Sequence, residues 1–242
     1  MPDRVDVLGV AFDRVDLPSA VARIVERLDR GERTFVITAN PEFVMLARAD
    51  AGTARIARQA DLVVPDGTGV AIASTLLGSA IPRVPGRLLV DALVPPLAVR
   101  GTPIFLLGAA PSVAERAADT LRRREPRLRI VGCYAGVAED DADTVVRVAA
   151  ASPAVVLVAY GMPKQEAWIA RNLASLPSVR LAIGIGGVFD QLAGVQRVPP
   201  SVLHHLGLEW LWRLMREPWR WRRQRVLPLF AALVLRRRLL GR

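Results

Sequence analysis

The sequence VVLVAYGMPKQEAW, residues 155–168, joins an apolar run to a polar turn, and it sets the pattern that the rest of the chain repeats. Five of its first six residues are aliphatic or alanine, as in a strand that is buried on both faces of a sheet. Gly161 and Pro163 then end the run, and residues 164–166 supply polar groups. In open α/β sheets, ligands bind at the carboxyl ends of the strands. The stretch therefore predicts one wall of a ligand-binding crevice, although an ordinary strand-to-helix turn has the same local pattern.

Composition restricts the class of protein. The chain has 242 residues, of which 52% are hydrophobic and 23% charged, so it is not a disordered chain and it can form one large domain or a domain with an appendage. The formal charge of +10 is nearly all arginine, since Lys164 is the only lysine. Cys133 is the sole cysteine, which excludes an internal disulfide and suits a reducing compartment. Residues 1–17 contain no apolar core of signal-peptide length, which predicts a cytoplasmic protein.

Strand-like and helix-like segments alternate along the chain. After a first strand or hairpin at 5–12, strands are predicted at 34–38, 62–65, 103–107, 129–134, 155–159 and 181–185. Helices are predicted at 18–29, from 41 to about 59, at 68–77, 88–100, 112–125 and 142–150, and after Pro163. Pro95 and Pro96 should end or kink the helix at 88–100. Ser112 and Glu115 form a capping-box pattern at the start of the helix at 112–125. This alternation predicts an α/β fold with a parallel sheet covered by helices on both faces. We place this domain at residues 1–198 and a helical C-terminal appendage at residues 199–242.

Three predicted strand ends in the second half carry glycine turns: Gly108 with Ala109 and Ala110, Gly161 with Met162 and Pro163, and Gly184 with Gly186 and Gly187. Glycine lets backbone N–H groups approach a phosphate, and the N-terminus of the following helix favours its negative charge. None of the turns matches a dinucleotide fingerprint or a Walker A loop. Together they suggest a nucleotide or nucleotide-sugar site, to which we also assign Tyr134. Asp190 would accept hydrogen bonds from the base or ribose there, although it reads equally well as a helix cap.

Polar residues gather at the predicted strand ends of the first half. Thr38 and Asn40 lie at one strand end, Asp66 at another, and Arg83 on the proline-rich loop that follows. A carboxylate beside hydroxyl, amide and guanidinium groups is the arrangement expected of a general base aimed at a sugar hydroxyl. The alternative makes Asp66 a cap of the next helix and Arg83 a solvated loop charge, and spacing alone favours that alternative.

Five segments resemble, in the same order, those of the WecG/TagA/CpsF glycosyltransferases: TANPEF (38–43), VVPDGTGV (63–70), GMPKQEAW (161–168), GIGGVFDQLAG (184–194) and HHLGLEWLWRLMREPWRWRRQ (204–224). The resemblance covers about residues 5 to 225. It implies a Rossmann-like architecture of the GT-E type. It also implies transfer of an N-acetylmannosamine-type or related sugar from a UDP-sugar to a polyprenyl-diphosphate-linked glycan at the cytoplasmic face of the membrane.

The resemblance also implies roles for single residues. Asp66 matches the catalytic base, with Thr38 and Asn40 in the adjoining acceptor pocket. Arg83 matches a residue acting on the diphosphate, and Gln165 matches one at the donor, which we place where the donor and acceptor pockets meet. Members of the family often carry an acid where Leu88 stands here, which leaves open a non-catalytic nucleotide-sugar-binding protein.

The predicted reaction uses no metal or other cofactor. Direct displacement by an acceptor hydroxyl inverts the anomeric carbon, and the charge of the departing UDP must be stabilised by a metal or by fixed cations. The only DxD-like pattern is Asp141 and Asp143, which stand where a helix is predicted to begin, a position that suits acids for structural reasons. We therefore assign the charge stabilisation to Arg83 and the amides of the glycine turns.

The C-terminal segment mixes tryptophan and arginine. The arginines that we assign to a membrane surface or a diphosphate are Arg213, Arg216, Arg220, Arg222 and Arg223. Such mixing favours a helix at an anionic lipid interface, and the apolar run at 226–235 is too short to span a bilayer. The alternative is a basic helix packed on its own domain with tryptophans in the core.

A basic arm that binds single-stranded nucleic acid is the alternative from another functional class. It accounts for the charge but gives no role to Asp66, Asn40 or the glycine turns. We therefore predict an enzyme that binds a UDP-sugar, a polyprenyl-diphosphate-linked glycan and, peripherally, the inner face of the cell membrane, without nucleic acid. A homo-oligomer is left open.

Overall fold

A computed structural model describes residues 4–197, 209–216, 218 and 221–240. The proposed domain boundary between residues 198 and 199 lies outside these ranges. The strands are β1 (Arg4–Val7), β2 (Val10–Asp13), β3 (Thr34–Ala39), β4 (Leu62–Pro65), β5 (Ile104–Gly108), β6 (Ile130–Tyr134), β7 (Val155–Ala159) and β8 (Leu181–Gly184). The helices are α1 (Leu17–Asp29), α2 (Pro41–Ala49), α3 (Ala51–Gln59), α4 (Thr68–Leu76), α5 (Gly86–Val99), α6 (Val113–Arg124), α7 (Asp141–Ala151), α8 (Lys164–Asn172), α9 (Val188–Leu192), α10 (Glu209–Arg216), α11 (Trp221–Gln224) and α12 (Val226–Leu240).

The centre of the molecule is a six-stranded sheet in the order β4-β3-β8-β7-β5-β6, in which every pair of neighbours is parallel. This confirms the predicted α/β class. Strands β1 and β2 form a separate antiparallel hairpin. The last strand, β8, pairs with β3 on one side and with β7 on the other. It therefore joins the first half of the chain to the second.

The apolar run of β7 shows why the sheet is buried on both faces. All five residues of this strand are buried, and successive side chains point to opposite faces. Val155 and Leu157 belong to a first apolar cluster, which includes residues of α1, α5, α6 and α9. Val156 and Val158 belong to a second, which includes residues of the β1–β2 hairpin, α2, α8 and α12. A strand without a polar face needs such a two-sided cover.

One local prediction was wrong in part and another in full. Pro95 and Pro96 lie inside α5, so they do not end the helix, while the predicted alternative of a kink is not tested. The helix buries Leu93 and Leu97 on both sides of the prolines, and this burial offsets the lost hydrogen bonds. Ser112 precedes α6 but forms no capping hydrogen bond, since its backbone is left-handed with φ of 65°. The predicted capping box is therefore absent at this position.

The C-terminal helix α12 packs against α2 and α4. Its Phe230 and Val234 are 5% and 2% exposed and belong to the same apolar cluster as Phe43 and Val44 of α2. Arg237 forms an ion pair with Asp6 of the hairpin. Among the described residues, no helix combines the length and the apolar character needed to cross a membrane. Part of the appendage is thus a structural element of the α/β domain.

Candidate active site

The predicted donor residues, together with Asp66, Thr38 and Asn40 of the predicted acceptor side, lie along the carboxyl edge of the sheet. On the acceptor side, Asp66 follows β4, Thr38 lies in β3 and Asn40 follows β3. On the donor side, Gly186 and Gly187 follow β8, with Asp190 further on in α9, and Gly161, Pro163 and Gln165 follow β7. Gly108 ends β5 and Tyr134 ends β6. The sheet therefore places the predicted acceptor side and donor side next to each other, with the β3–β8 pair between them.

A crevice is expected between β3 and β8 because these neighbours lead to opposite faces of the sheet. After β3 the chain enters α2, which packs in the second apolar cluster. After β8 it enters α9, which packs in the first. In open α/β sheets such a divergence opens a ligand site at the carboxyl ends of the two strands. Thr38 marks this place, since its Oγ1 donates to the carbonyl oxygen of Gly184 at 3.1 Å.

Asp66 is held at the start of a distant helix. Its Oδ1 accepts a hydrogen bond of 2.7 Å from the N–H of Gly86, the first residue of α5. The residue that precedes α4 is Gly67, and no side chain caps that helix. The alternative reading of Asp66 as a cap of α4 is therefore wrong. The carboxylate is instead oriented by the N-terminus of α5.

Arg83 is not a solvated loop charge. The side chain is partly buried, and its Nε donates to the main-chain oxygen of Asp66 at 3.1 Å. Its Nη1 donates to Oγ1 of Thr68 at 3.2 Å. These bonds bring a fixed positive charge to the strand end that carries the proposed base.

Thr38 and Asn40 each have a structural contact that limits how they can bind a ligand. A Cβ atom on Gly86 would lie only 3.1 Å from Oγ1 of Thr38, so the start of α5 packs closely on β3. Oδ1 of Asn40 accepts from the N–H of Phe43 at 2.9 Å and caps α2. A hydrogen bond that Asn40 donates to a substrate would come from its Nδ2 group, while one acceptor position of Oδ1 is already used by Phe43.

Gln165 is more deeply buried than the sequence suggested, with an exposed fraction of 3%. Its Oε1 accepts from the N–H of Gly186 at 2.9 Å, and its Nε2 donates to Oε1 of Glu166 at 2.8 Å. Gln165 thus ties the turn after β7 to the turn after β8. Direct contact of Gln165 with a substrate stays a prediction.

The glycines of the three turns differ in how much space surrounds them. Gly108 has φ of 101°, and a Cβ atom there would lie 2.8 Å from the carbonyl carbon of Ala159. Gly161 and Gly186 also have positive φ, of 76° and 55°, but nothing lies within 4 Å of the Cβ position. The Gly108 turn therefore packs against the backbone of β7, whereas the other two glycines have open space beside them, as a phosphate-binding turn requires.

Alanine substitutions at Gly108 and Gly161 should distinguish a glycine packed on a neighbouring backbone from one with open space beside it. Both Gly108→Ala and Gly161→Ala impose a left-handed backbone that costs about 1–2 kcal/mol. Gly108→Ala must also displace the backbone of β7, which adds roughly 1–3 kcal/mol. We expect urea unfolding to show a clearly larger loss of stability for Gly108→Ala. Equal losses would contradict the close packing of the β5 and β7 ends.

Tyr134 and Asp190 occupy defined positions near the donor turns. The Tyr134 hydroxyl donates to Asp143, and this bond is the main cause that raises the pKa of Tyr134. The Arg147 guanidinium lies 4.3 Å from the centre of the Tyr134 ring, so a base stacking on this ring would have to use the opposite face. Asp190 lies in the first turn of α9, and the N-cap residue of this helix is Gly187. The alternative prediction of Asp190 as a helix cap is therefore wrong.

The acids of the DxD-like pattern are engaged in the protein. Asp141 accepts two hydrogen bonds from Arg171, of 2.8 and 3.0 Å, which are the main cause that lowers its pKa. Asp143 lies in the first turn of α7 and accepts from Arg147 at 2.9 Å. These contacts agree with the structural reading of the pattern. In the part of the chain that the structure describes, no group of three or more His, Cys, Asp or Glu side chains is arranged to hold a metal ion.

Two residues of this edge escaped the sequence analysis. Gly86 was given no role, although its N–H donates to Oδ1 of Asp66. Glu166 was taken as a polar turn residue, yet it is 1% exposed, and burial raises its pKa to about 7. A charged residue in the polar start of a helix gives no sequence signal for such burial.

The basic C-terminal segment is described only in part. The side chains of Arg213 and Arg223, and the whole of Arg220, lie outside the described residues. Arg216 and Arg222 are exposed, and the Arg216 guanidinium lies 5.2 Å from the centre of the Trp212 ring. Trp221 is 57% exposed, so this tryptophan is not a core residue.

The sequence matches known proteins over nearly its whole length. Residues 5–242 match the model of the glycosyl transferase WecG/TagA/CpsF family. A Bacillus spizizenii protein named N-acetylglucosaminyldiphosphoundecaprenol N-acetyl-beta-D-mannosaminyltransferase is 32% identical over 210 residues, which cover 86% of this chain and 81% of the relative. A Staphylococcus aureus protein of the same name is 31% identical over 230 residues, which cover 94% and 90%. These matches confirm the resemblance found in the sequence motifs.

Proposed function

The chain belongs to the WecG/TagA/CpsF family of glycosyltransferases, and from this we propose that it transfers an N-acetylmannosamine-type or related sugar. The proposed donor is a UDP-sugar and the proposed acceptor a polyprenyl-diphosphate-linked sugar. The transfer inverts the configuration of the anomeric carbon. The acceptor class follows the names of the relatives, which describe mannosaminyl transfer to an N-acetylglucosaminyl-diphosphoundecaprenol. The observation that carries the proposal is the Asp66 carboxylate, fixed by Gly86 beside the Arg83 guanidinium at the crevice edge.

The chemistry assigns the proton to Asp66. An acceptor hydroxyl gives its proton to the carboxylate as its oxygen bonds to the anomeric carbon, and the bond from that carbon to the UDP phosphate breaks with its electron pair going to UDP. Attack opposite the leaving group inverts the configuration. The Gly86 N–H holds Asp66 in one orientation, which lowers the cost of bringing base and hydroxyl together.

The donor is assigned to the other side of the β3–β8 pair. Gly161 and Gly186 stand open at the ends of β7 and β8, and the N-termini of α8 and α9 follow directly. Backbone amides and helix N-termini attract phosphate oxygens. Asp190 would then bind the nucleoside, and Tyr134 would lie at the far end of the donor pocket.

The third element of the proposal is peripheral membrane binding by α12. Leu235 and Leu239 are 51% and 82% exposed, one helical turn apart, on the side of α12 turned away from Phe230 and Val234. The run 236–238 adds arginine next to them. Exposed leucine beside arginine is typical of a helix lying on anionic lipid. A lipid-linked acceptor requires this access to the bilayer.

A transfer assay tests the function. The full chain is incubated with several UDP-N-acetylhexosamines and a polyprenyl-diphosphate N-acetylglucosamine analogue, and the product is analysed for its anomeric configuration. Transfer with inversion from one donor is the expected result. Binding of UDP-sugars without transfer would overturn the proposal in favour of a non-catalytic binder. Salt-sensitive binding of single-stranded DNA with no affinity for UDP would overturn it in favour of a nucleic-acid-binding protein.

Metal removal tests the proposed use of fixed cations. If Arg83 and the turn amides stabilise the departing UDP, EDTA should change the transfer rate by less than about twofold, since removing a catalytic metal costs several kcal/mol of stabilisation. The rate is measured before and after chelation and after adding back Mg²⁺ or Mn²⁺. Complete loss in EDTA that either ion restores would contradict the metal-free mechanism.

A further inference from the structure

Glu166 is a buried acid that the proposed mechanism does not use. The side chain is 1% exposed, in the first turn of α8. Its Oε1 accepts from Nε2 of Gln165 at 2.8 Å, whereas its Oε2 is buried and has no hydrogen-bond partner among the residues the structure describes. Burying an ionised carboxylate in this way is costly, and burial raises the pKa of Glu166 to about 7. A carboxyl group that is buried at this free-energy cost next to the crevice is expected to have a function.

The single contact of Glu166 and the N–H of Gly186 require the same orientation of the Gln165 amide. A glutamine amide has an oxygen that accepts and a nitrogen that donates, and the two ends are similar in shape. Oε1 of Glu166 requires a donor, so Nε2 of Gln165 faces it. The amide oxygen is thereby turned to the N–H of Gly186, which it binds at 2.9 Å. If the amide were flipped, two donors would face each other at Gly186.

The same pair packs against the backbone of β8. A Cβ atom on Gly184 would lie 2.8 Å from Nε2 of Gln165 and 2.9 Å from Oε1 of Glu166. The carbonyl oxygen of Gly184 accepts from Oγ1 of Thr38 on the other side. The Gln165–Glu166 pair therefore packs closely on the end of β8, at the residue that also contacts the acceptor side through Thr38.

We propose that Glu166 is a positioning residue, whose carboxyl orients the Gln165 amide and through it holds the Gly186 turn in the geometry that sugar transfer needs. Glu166 touches neither substrate in this role. The part that concerns transfer rests on the proposed function, because it takes the Gly186 turn as a donor-binding element. The part that concerns the turn itself does not depend on any substrate.

The proposal predicts different effects for different substitutions at Glu166 and Gln165. Glu166→Leu removes the acceptor, whereas Glu166→Gln keeps an acceptor oxygen for Nε2 of Gln165 and places an amide where Oε2 lies. We expect Glu166→Leu to lower kcat about 10- to 100-fold, as for a reacting group displaced by about an ångström, and Glu166→Gln to stay within about threefold. In a Gln165→Leu background, Glu166→Leu should lower kcat by less than about twofold further, because both residues act through one contact.

Amide hydrogen exchange of Gly186 in the substrate-free protein separates this inference from the proposed function. We expect exchange at Gly186 to be at least about tenfold faster in Glu166→Leu and unchanged in Glu166→Gln, since only the first removes the group that orients Gln165. Unchanged exchange in Glu166→Leu would overturn the inference even if transfer occurs. Faster exchange would support it even if none of the tested sugars is transferred.

An exchange of the two side chains keeps the test decisive if Glu166→Leu does not fold. Gln165→Glu alone puts two carboxyl groups side by side, whereas Gln165→Glu with Glu166→Gln restores one donor–acceptor contact and an acceptor for Gly186. The double variant should recover slow exchange at Gly186 and at least about tenfold of the kcat lost by Gln165→Glu. Failure of the double variant to recover either property would overturn the inference, as would additive losses in the leucine series.

Discussion

Replacing Asp66 with asparagine is expected to lower the rate of sugar transfer by about 10²- to 10⁴-fold, the usual contribution of a general base. The asparagine oxygen can still accept the hydrogen bond that Gly86 donates to Oδ1 of Asp66 at 2.7 Å. The start of α5 should therefore keep its place, while the side chain can no longer take a proton from the acceptor. The rate is measured at saturating concentrations of both substrates, and folding is checked by thermal unfolding.

Asp61 provides the matched control at the other end of the same strand. It stands directly before β4, where Oδ2 accepts from the N–H of Phe35 at 2.8 Å and Oδ1 lies 3.2 Å from Nη2 of Arg27. Asp61→Asn likewise keeps an acceptor for the backbone and loses a charge, but at the amino edge of the sheet. Transfer should stay within about twofold of the wild type, as for a surface ion pair. Near-normal turnover by Asp66→Asn, or equal losses in the two variants, would exclude Asp66 as the base.

Properties that depend on neighbours in the sequence were predictable. The apolar run of β7 was placed at 155–159, and the structure has β7 at Val155–Ala159, because five consecutive apolar residues between turn signals leave little choice. The polar residues at strand ends were also found, since a parallel sheet brings its carboxyl ends to one edge. These two facts placed the candidate site before any contact was known.

Properties that depend on distant parts of the chain were not predictable in this way. Nothing in the local pattern of residues 181–185 shows that β8 inserts between β3 and β7, although this pairing brings the two halves of the site together. The bond from Gly86 to Asp66 spans 20 residues and depends on how α5 packs. Asn40 is a different case, because its contact with the N–H of Phe43 is local and makes it the cap of α2, a role that competes with the acceptor role that the family resemblance suggested.

The C-terminal appendage is a third case, because composition left two readings open: a helix packed on its own domain and a helix that lies on lipid. The buried Phe230 and Val234 agree with the reading as a helix packed on its own domain. The exposed Leu235 and Leu239 agree with the reading as a lipid-facing helix. The apolar run 226–235 could not reveal this, because a helix that is apolar on two sides has no single hydrophobic stripe.

The Leu235→Glu/Leu239→Glu double variant is expected to weaken binding to anionic liposomes by about 10²-fold or more. Inserting a leucine side chain into the acyl boundary contributes roughly 1.5–3 kcal/mol, and the two side chains face away from the core. Glutamate also opposes the attraction of the nearby arginines to anionic lipid. Binding is measured by co-sedimentation with vesicles that contain anionic lipid, and with neutral vesicles for comparison.

Two controls distinguish membrane contact from loss of folding. Val99→Glu changes a residue that is 68% exposed at the end of α5, on the opposite face of the sheet, and should leave liposome binding unchanged. Phe230→Ala removes a buried side chain of α12 and should cost about 3–5 kcal/mol of stability, whereas the double leucine variant should unfold like the wild type. Liposome binding that survives the double substitution would show that α12 does not carry the contact. In that case the Arg216 and Arg222 region would be the next part of the appendage to test, because both arginines are exposed there.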